Sequence, residues 1–216
     1  MADIIAGFAL PEADLDLVAE LREGSEQAFS SLLNLYQQPI YNFVYRLLED
    51  PSDAPDVTQE VFFKVFRKIG DFRGECSLKT WIYRIAVNEA SNLRRWFGRH
   101  RRREVSLDQR VDDAPSLAEL LADPQETQYE QLLLLERRRA VETALAEVKE
   151  SFRIPVVMRD IEGLSYDEIA EILQVSLGTV KSRILRGREA LKRKLAATAA
   201  SGEVEALCPV EQVESV

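Results

Sequence analysis

Apolar residues recur at steps of three and four through the N-terminal half of the chain. Phe29, Leu32, Leu33, Tyr36, Ile40, Phe43, Val44 and Leu47 form one such stripe, the period of a helix that buries one side. Pro39 falls inside it and predicts either a kink or a break between two helices. Residues 49–55 hold Pro51 and Pro55 and predict a loop. A second stripe follows through Val57, Val61, Phe62, Val65, Phe66 and Ile69, with Gly70 placed to stop it. Residues 71–77 are polar, contain Gly74 and predict another loop. A third helix starts near Leu78, with Trp81, Ile82, Ile85 and Ala86 on one face, and runs toward a cluster of arginines. Helices sharing these stripes can close a small core, which makes the chain all-α on this evidence.

The pattern weakens from about residue 102 to residue 128. Leu117, Leu120 and Leu121 could make a short helix, but Pro115, Pro124 and many acids read as a tether. Periodicity returns near Gln131. Leu134, Val141, Leu145 and Val148 are spaced for one face, and residues 132–135 thicken it. Residues 152–158 form a second short apolar segment, with Pro155 near a helix start. Residues 199–216 read as a frayed tail.

Residues 164–195 carry the strongest local signal. Ser165 stands three residues before Glu168, the spacing of a capping box. Ile169, Ala170 and Leu173 give the short helix an apolar side, and small Ala170 permits close helix approach. Gln174 and Val175 make a tight connection, and Ser176 is placed as a second cap. The next helix buries Val180, Ile184, Leu191 and Leu195 and shows Thr179, Lys181, Ser182, Arg183 and Arg186 elsewhere. This is the layout of a helix-turn-helix, whose second helix enters the major groove. Arginine forks read guanine edges there and lysines neutralise phosphates. Gly178, in the first turn, lets the backbone approach a phosphate. The alternative from spacing alone is an αα-hairpin that binds nothing.

Composition and charge sharpen this picture. The 216 residues suffice for one medium domain or two small ones, and 46% hydrophobic with 30% charged residues is a globular mix. No apolar run approaches the roughly 20 residues of a bilayer span. The first 17 residues carry four acids and no base, so no secretory signal is expected. Cys76 and Cys208 are too few for a disulfide framework, which favours a cytoplasmic chain. The net charge of −9 argues against a non-specific nucleic-acid coat, but the charge is segregated. Arg94, Arg95, Arg99, Arg101, Arg102 and Arg103, with His100, form one basic block. Lys181, Arg183, Arg186, Arg188, Lys192, Arg193 and Lys194 form another. Between them lie Asp108, Asp112, Asp113, Glu119, Asp123, Glu126 and Glu130. Two basic blocks, each ending a helical pattern, favour nucleic-acid contact over a merely solvated face.

A second candidate surface lies between residues 71 and 103. Phe72, Arg73, Trp81, Tyr83, Asn88 and Asn92 are interleaved with arginines, a mix that suits unstacked single-stranded bases. The competing reading makes Trp81 and Phe72 core residues. Tyr83 lies off the Trp81/Ile85 stripe and is expected to expose its ring.

Three stretches in this order resemble a known family. They are Asp53-Ala54-Pro55-Asp56-Val57-Thr58-Gln59-Glu60-Val61-Phe62, then Phe72-Arg73-Gly74 through Thr80-Trp81-Ile82-Tyr83-Arg84-Ile85-Ala86-Val87-Asn88, and lastly Gly163-Leu164-Ser165-Tyr166-Asp167-Glu168-Ile169-Ala170 with Gly178-Thr179-Val180-Lys181-Ser182-Arg183. Over residues 20–197 the chain resembles an RNA polymerase sigma factor of the extracytoplasmic function (ECF) type, in the sigma-70 superfamily. The resemblance implies two small helical domains joined by a flexible linker, without the intermediate domain of larger sigma factors. Domain 2 would span residues 20–98 after an extension of residues 1–19. An acidic linker of residues 99–130 would lead to domain 4, residues 131–197, and an acidic tail of residues 198–216.

The resemblance also implies roles. Asp56, Gln59 and Glu60 fall on the helix that docks on the clamp of the polymerase's largest subunit. Phe72, Arg73, Gly74 and the loop to Lys79 match the stretch that captures a flipped base of the −10 element, with Tyr83, Asn88 and Asn92 on the adjoining helix. Thr179, Lys181, Ser182, Arg183 and Arg186 would read the −35 element as duplex, while domain 4 also contacts the flap of the second-largest subunit. The linker would thread toward the active-site cleft, its acids mimicking nucleic acid. An anti-sigma factor is the implied inhibitory partner. No cofactor, metal or covalent chemistry is implied, since the polymerase makes the bond. Pro55 departs from the family pattern and is expected to start the docking helix, with Asp53 as its cap.

Other classes fit less well. A DNA-binding regulator independent of polymerase would need a ligand or dimerisation domain, and residues 20–98 show no ligand site. A protein-only adaptor leaves both basic blocks without a task. An enzyme lacks support: His100 sits in a basic run, Cys76 has no Cys or His at ligand spacing, and no GxxxxGK[ST] phosphate loop occurs.

Overall fold

Four of the helices begin at a serine whose hydroxyl accepts a free N–H of the first turn. In the computed structural model, which describes residues 12–48, 50–100 and 128–200, the ordered elements are helical. The first, α1 (Glu12–Arg22), was not foreseen in the hydrophobic pattern. It buries Val18 and Leu21 and ends at Gly24, whose φ of 80° suits the residue without a Cβ. The Arg22 guanidinium donates to the carbonyl of Phe72 and ties α1 to the loop before α4.

The Ser25 hydroxyl accepts from the Ala28 N–H at 3.2 Å and caps α2 (Glu26–Leu47). Pro39 neither breaks nor divides this helix. Its ring is exposed, so the lost backbone bond lies on the solvent side, and Leu32, Ile40, Phe43, Val44 and Leu47 hold the buried side in place. The loop expected at 49–55 is more ordered than its prolines suggest. Asp50 accepts from the Ser52 N–H at 3.0 Å and starts one 3₁₀ turn, Pro51–Asp53. Directly after it comes α3 (Ala54–Lys68), with Pro55 in its first turn, where a missing N–H costs nothing. Asp53 is the N-cap residue, although its side chain makes no capping bond. Phe66, assigned to the buried stripe, is 53% exposed and packs edge-on against Phe29 at 4.9 Å. Gly70 sits in a second 3₁₀ turn, Ile69–Asp71, just past the end of α3.

Next, α4 (Leu78–His100) runs into the arginine cluster. Ser77 caps it, accepting from the Thr80 N–H at 3.0 Å. Of the expected face, Ile82 and Ala86 are buried, but Trp81 and Ile85 are not. Leu78, Ile82, Tyr83, Ala86, Val87 and Ala90 face inward, while Trp81 and Ile85 are half-buried. Helices α2, α3 and α4 pack on one another. Lys64 of α3 bridges Glu60 at 3.3 Å and Glu89 of α4 at 2.5 Å.

The C-terminal half holds α5 (Gln128–Ala146), α6 (Glu150–Val156), α7 (Tyr166–Leu173) and α8 (Leu177–Ala200). In α5 the inward side is Ala140, Ala144 and Leu145, followed by Val148. Leu134, expected on that face, is 41% exposed, and Leu132 is exposed as well. Pro155 lies within α6 rather than at its start. Beyond it the backbone widens by one residue per turn over Val157–Ile161, and the Glu162 N–H reaches the Val157 carbonyl at 3.0 Å. The Arg153 side chain is buried and donates to the Ala146 carbonyl at 3.1 Å, satisfying the end of α5.

The chain gathers into two units. One joins α1 to α4 with residues 157–181; the other holds α5, α6 and α8 from residue 182 onward. The linker acids Asp108, Asp112, Asp113, Glu119, Asp123 and Glu126, the segment Leu117 to Leu121, Arg101 to Arg103, Cys208 and the tail beyond residue 200 lie outside the described residues.

Candidate nucleic-acid interface

The first candidate surface is one side of α4. Lys79, Thr80, Tyr83 and Arg84 are spaced one turn apart in two pairs and so share a face. Within the same unit, the turn before α7 and α7 itself lie against this face. The Tyr83 hydroxyl donates to Glu162 Oε2 at 2.5 Å, and Lys79 Nζ donates to the Glu162 carbonyl at 2.8 Å. Thr80 Oγ1 donates to Glu168 Oε1 at 3.0 Å. The Arg84 guanidinium is ion-paired with Glu171. Lys79 also sits over the Tyr83 ring, 5.6 Å from its centroid.

These contacts correct the expectation for Tyr83. Its ring is 1% exposed, not open to solvent, and lies 4.9 Å from the ring of Phe43 on α2. The inward side of α4 is the Leu78–Ile82–Ala86 row widened by Tyr83, because α2 offers an aromatic partner there. Burial, with the bond to Glu162, holds the Tyr83 hydroxyl well above its ordinary pKa. Burial likewise raises the Glu162 carboxyl, against the opposing effect of Tyr83, Arg46 and Lys79. Glu168 shows the opposite balance. Burial would raise it, but the Ser165 N–H, the Ser165 and Thr80 hydroxyls and nearby Lys79 together hold it below the usual value.

The loop ahead of α4 is divided in the same way. Phe72 is buried, 5.2 Å from the Trp81 ring, so this aromatic pair serves the core first. Arg73 is exposed, and Gly74 takes a φ of 73°, which suits the residue without a Cβ. Asn88 and Asn92 are exposed further along α4, where the Asn92 amide reaches Glu89 at 3.4 Å. Cys76 is buried beneath the loop, and its thiol is pushed up to about 11, first by burial and then by Glu171. Such a thiol is a poor nucleophile at neutral pH.

On α3, Asp56, Gln59 and Glu60 occupy the solvent side. Phe63 extends the same row by one turn and is 52% exposed, with the Arg67 guanidinium 5.4 Å from its ring centroid. The hydrophobic pattern passed over Phe63; its signal was the three-residue step from Glu60.

The caps and turn of the helix-turn-helix form as the sequence foretells, but its buried side is narrower than expected: Ile169 and Ile172 of α7 and Val180 and Ile184 of α8 are buried, while Ala170, Leu173, Leu191 and Leu195 are half-buried. Ser165 Oγ accepts from the Glu168 N–H at 3.2 Å while Glu168 Oε2 accepts from the Ser165 N–H at 2.8 Å. Gln174 takes a left-handed φ of 54° and closes α7. Ser176 Oγ then accepts from the Thr179 N–H at 3.2 Å and opens α8. On α8, Thr179, Ser182, Arg183 and Arg186 fall in one row at steps of three and four, with Ser182 and Arg186 exposed. Lys181 leaves that row, turned about 200° from Thr179 at roughly 100° per residue. It stands 6.0 Å from the ring centroid of Tyr166 on α7. Gly178 has open space where a Cβ would stand.

A capped helix-turn-helix with short polar residues and arginines at the start of its second helix is the layout of a DNA-reading module. Residues 32–103 match the family description Sigma-70 region 2, and residues 138–191 match Sigma-70, region 4. The chain is 37% identical over 186 residues to the RNA polymerase sigma-H factor of Pseudomonas aeruginosa, covering 85% of this chain and 94% of that one. It is 37% identical over 183 residues to the ECF RNA polymerase sigma-E factor of Escherichia coli K12, covering 84% and 94%. In fold it is similar to CnrH, solved in complex with the cytosolic domain of CnrY, with a TM-score of 0.62, 24% identity, and coverage of 86% of this chain and 99% of that one. It is similar also to the sigma factor RpoE of Bartonella quintana, solved with the anti-sigma factor NepR, with a TM-score of 0.61, 23% identity, and coverage of 78% and 96%.

The chain belongs to the ECF sigma factors of the sigma-70 superfamily. Its general function is therefore that of a sigma factor, binding core RNA polymerase for promoter recognition, and it is not an enzyme. Among the described residues no helix is long and apolar enough to cross a membrane.

Proposed function

We propose that the two surfaces read the two elements of a bacterial promoter. Residues 20–98 act as domain 2 and residues 131–197 as domain 4, joined by the acidic linker of residues 99–130. Asp56, Gln59 and Glu60 dock on the clamp of the largest polymerase subunit. Arg73, Gly74 and Lys79 hold single-stranded −10 bases with Asn88 and Asn92 alongside. Phe72 and Tyr83 act from beneath, as buried rings that shape this surface, with the Tyr83 hydroxyl at its edge. Thr179, Ser182, Arg183 and Arg186 read the −35 duplex, and Lys181 reaches a phosphate from the neighbouring side.

The observation that carries this reading is the row of Thr179, Ser182, Arg183 and Arg186 at the start of a helix whose cap and turn are both formed. Short polar residues and arginine forks at that end of a recognition helix match the chemistry of groove edges. The chain works in the cytoplasm, and an anti-sigma factor holds it inactive, as the partners of CnrH and RpoE in their solved complexes suggest by analogy.

Transcription by purified core polymerase from a library of random promoters tests the reading. Starts that require both components and share two upstream elements, about one and a half to two helical turns apart, are the expected result. Replacement of Arg183 and Arg186 by Ala should abolish preference at the upstream element alone. Transcription indifferent to those residues would overturn the assignment.

A further inference from the structure

Phe72 is held at three points. Its N–H donates to the Ile69 carbonyl at 3.2 Å, its ring lies 5.2 Å from the Trp81 ring, and its carbonyl accepts from the Arg22 guanidinium. The first contact comes from the adjoining 3₁₀ turn and the second from α4. The third comes from α1, 50 positions away along the chain. Helix α1 is itself anchored, because Val18 and Leu21 are buried and it packs on α2 and on the turn Ile69–Asp71. Arg22 is its last residue and so stands at the root of the loop. A peptide group is a rigid plane, and in the trans form its C=O and N–H point in opposite directions. Among the described residues no peptide is cis. Holding the Phe72 carbonyl toward Arg22 thus turns the Arg73 N–H the other way and fixes the direction in which the chain leaves. At the far end of the loop Cys76 is buried and Ser77 caps α4. Only Arg73, Gly74 and Glu75 lie between these fixed ends, so the first peptide plane restricts their path.

We infer that Arg22 is a positioning residue for single-strand recognition: through the Phe72 carbonyl it holds the Arg73–Gly74 loop in the form that receives a base. The inference rests on the proposed role of Arg73, Gly74 and Lys79 at the −10 element. It makes α1 part of that reader, although α1 precedes residues 32–103, the stretch that matches region 2. Arg22 itself touches no base. Without it, water satisfies the Phe72 carbonyl and imposes no direction on the peptide, so the loop samples more than one path. Discrimination between bases needs donors and acceptors in matched positions, whereas contacts to phosphate carry no sequence information. A loosened loop root therefore costs preference for a base rather than affinity for the strand. The planar guanidinium suits the task, because it offers donors in a fixed plane where an ammonium is a rotatable point charge.

The test uses the full-length protein with core polymerase, on a promoter selected from the random library and then randomised at its −10 element. Arg22→Met removes donor and charge but keeps an apolar stem, and Arg22→Lys keeps the charge and a donor. Transcript yield across the −10 variants is the readout, and hydrogen exchange of the α1 amides reports folding. In Arg22→Met, preference at one −10 position should fall about tenfold, the discrimination carried by a single base. Preference at the upstream element and protection of α1 should match wild type, and Arg22→Lys should recover part of the loss. Full −10 preference in Arg22→Met would overturn the inference. So would a uniform fall at every −10 sequence that Arg22→Lys cures completely, since that is the signature of a general charge effect. If α1 loses protection in Arg22→Met, the comparison passes to Arg22→Lys, where wild-type preference would overturn the inference. Arg73→Ala separates the two claims. If −10 preference survives that change, the proposed role of the loop fails and Arg22 falls with it. If Arg73→Ala flattens the preference while neither Arg22 variant does, only the role of Arg22 fails.

Discussion

Replacing Gly187 with Ala should destabilise the second unit, against the ordinary rule for helices. Gly187 lies inside α8, and an exposed Gly→Ala change in a helix interior stabilises by about 1 kcal/mol. Here the new Cβ would stand 2.5 Å from Val156 Cγ2 and 2.8 Å from the Phe152 carbonyl oxygen. The valine is 3% exposed and has little room to turn. The carbonyl belongs to the backbone of α6 and can move only with that helix. Overpacking of this kind costs roughly 1–3 kcal/mol. Set against the propensity gain, the net effect is a loss of about 1 kcal/mol. Gly178→Ala is the matched control: it lies in the first turn of the same helix with nothing within 4 Å of the added carbon. There the substitution should stabilise by about 0.5 kcal/mol. Native-state hydrogen exchange of the α6 and α8 amides reads both changes locally. If Gly187→Ala slows exchange as Gly178→Ala does, the close approach of α6 and α8 is wrong and the reasoning fails.

Further expectations follow from the site. Ser165→Ala removes the α7 cap and should cost about 1 kcal/mol. It should also raise the Glu168 carboxyl toward its ordinary value, visible in a carbon-13 carboxyl titration. Because Glu168 is depressed in the folded state, its contribution is present above about pH 4.5 and is lost as pH falls through the lowered folded value, so the wild type should show an acid-limb loss that the variant lacks. In a Cys208→Ser background, Cys76 should react with iodoacetamide at pH 8 roughly 100-fold more slowly than an ordinary thiol, given its rise to about 11; a rate near that of free cysteine would refute the buried placement. Charge reversal of Asp112, Asp113 and Glu119 should alter the ratio of abortive to full-length transcripts, and an unchanged ratio would remove any role for the linker acids as nucleic-acid mimics. Gly178→Ala should also weaken duplex binding in a mobility-shift assay despite its gain in stability, because its Cβ would meet the approaching phosphate.

Much of the fold was legible because helices announce themselves locally. The stripe of α2, the Ser165–Glu168 box and the Ser176 cap each lie within a turn or two of chain, where spacing translates into geometry with little ambiguity. The family motifs added residue order, which spacing lacks. The errors came where one helix offers two adjacent apolar sides. On α4 the pair Trp81/Ile85 and the row Leu78/Ile82/Ala86 have the same period, separated by a fraction of a turn. Only the neighbour decides between them, and Phe43 of α2 draws in Tyr83. Phe66 on α3 and Leu134 on α5 were assigned inward for the same reason and stand exposed.

The sequence by itself determined that this chain is helical, that it carries a capped helix-turn-helix, and that its ordered motifs are those of an ECF sigma factor. Those properties reside in residues close along the chain or in a linear order. Tertiary structure decided which side of α4 is core, that Tyr83 is buried beneath the surface it helps to build, and that carboxylates far along the chain meet Lys79, Thr80, Tyr83 and Arg84. Such contacts depend on how helices settle against one another, and that choice is made by the summed packing of several faces, which no single periodicity contains.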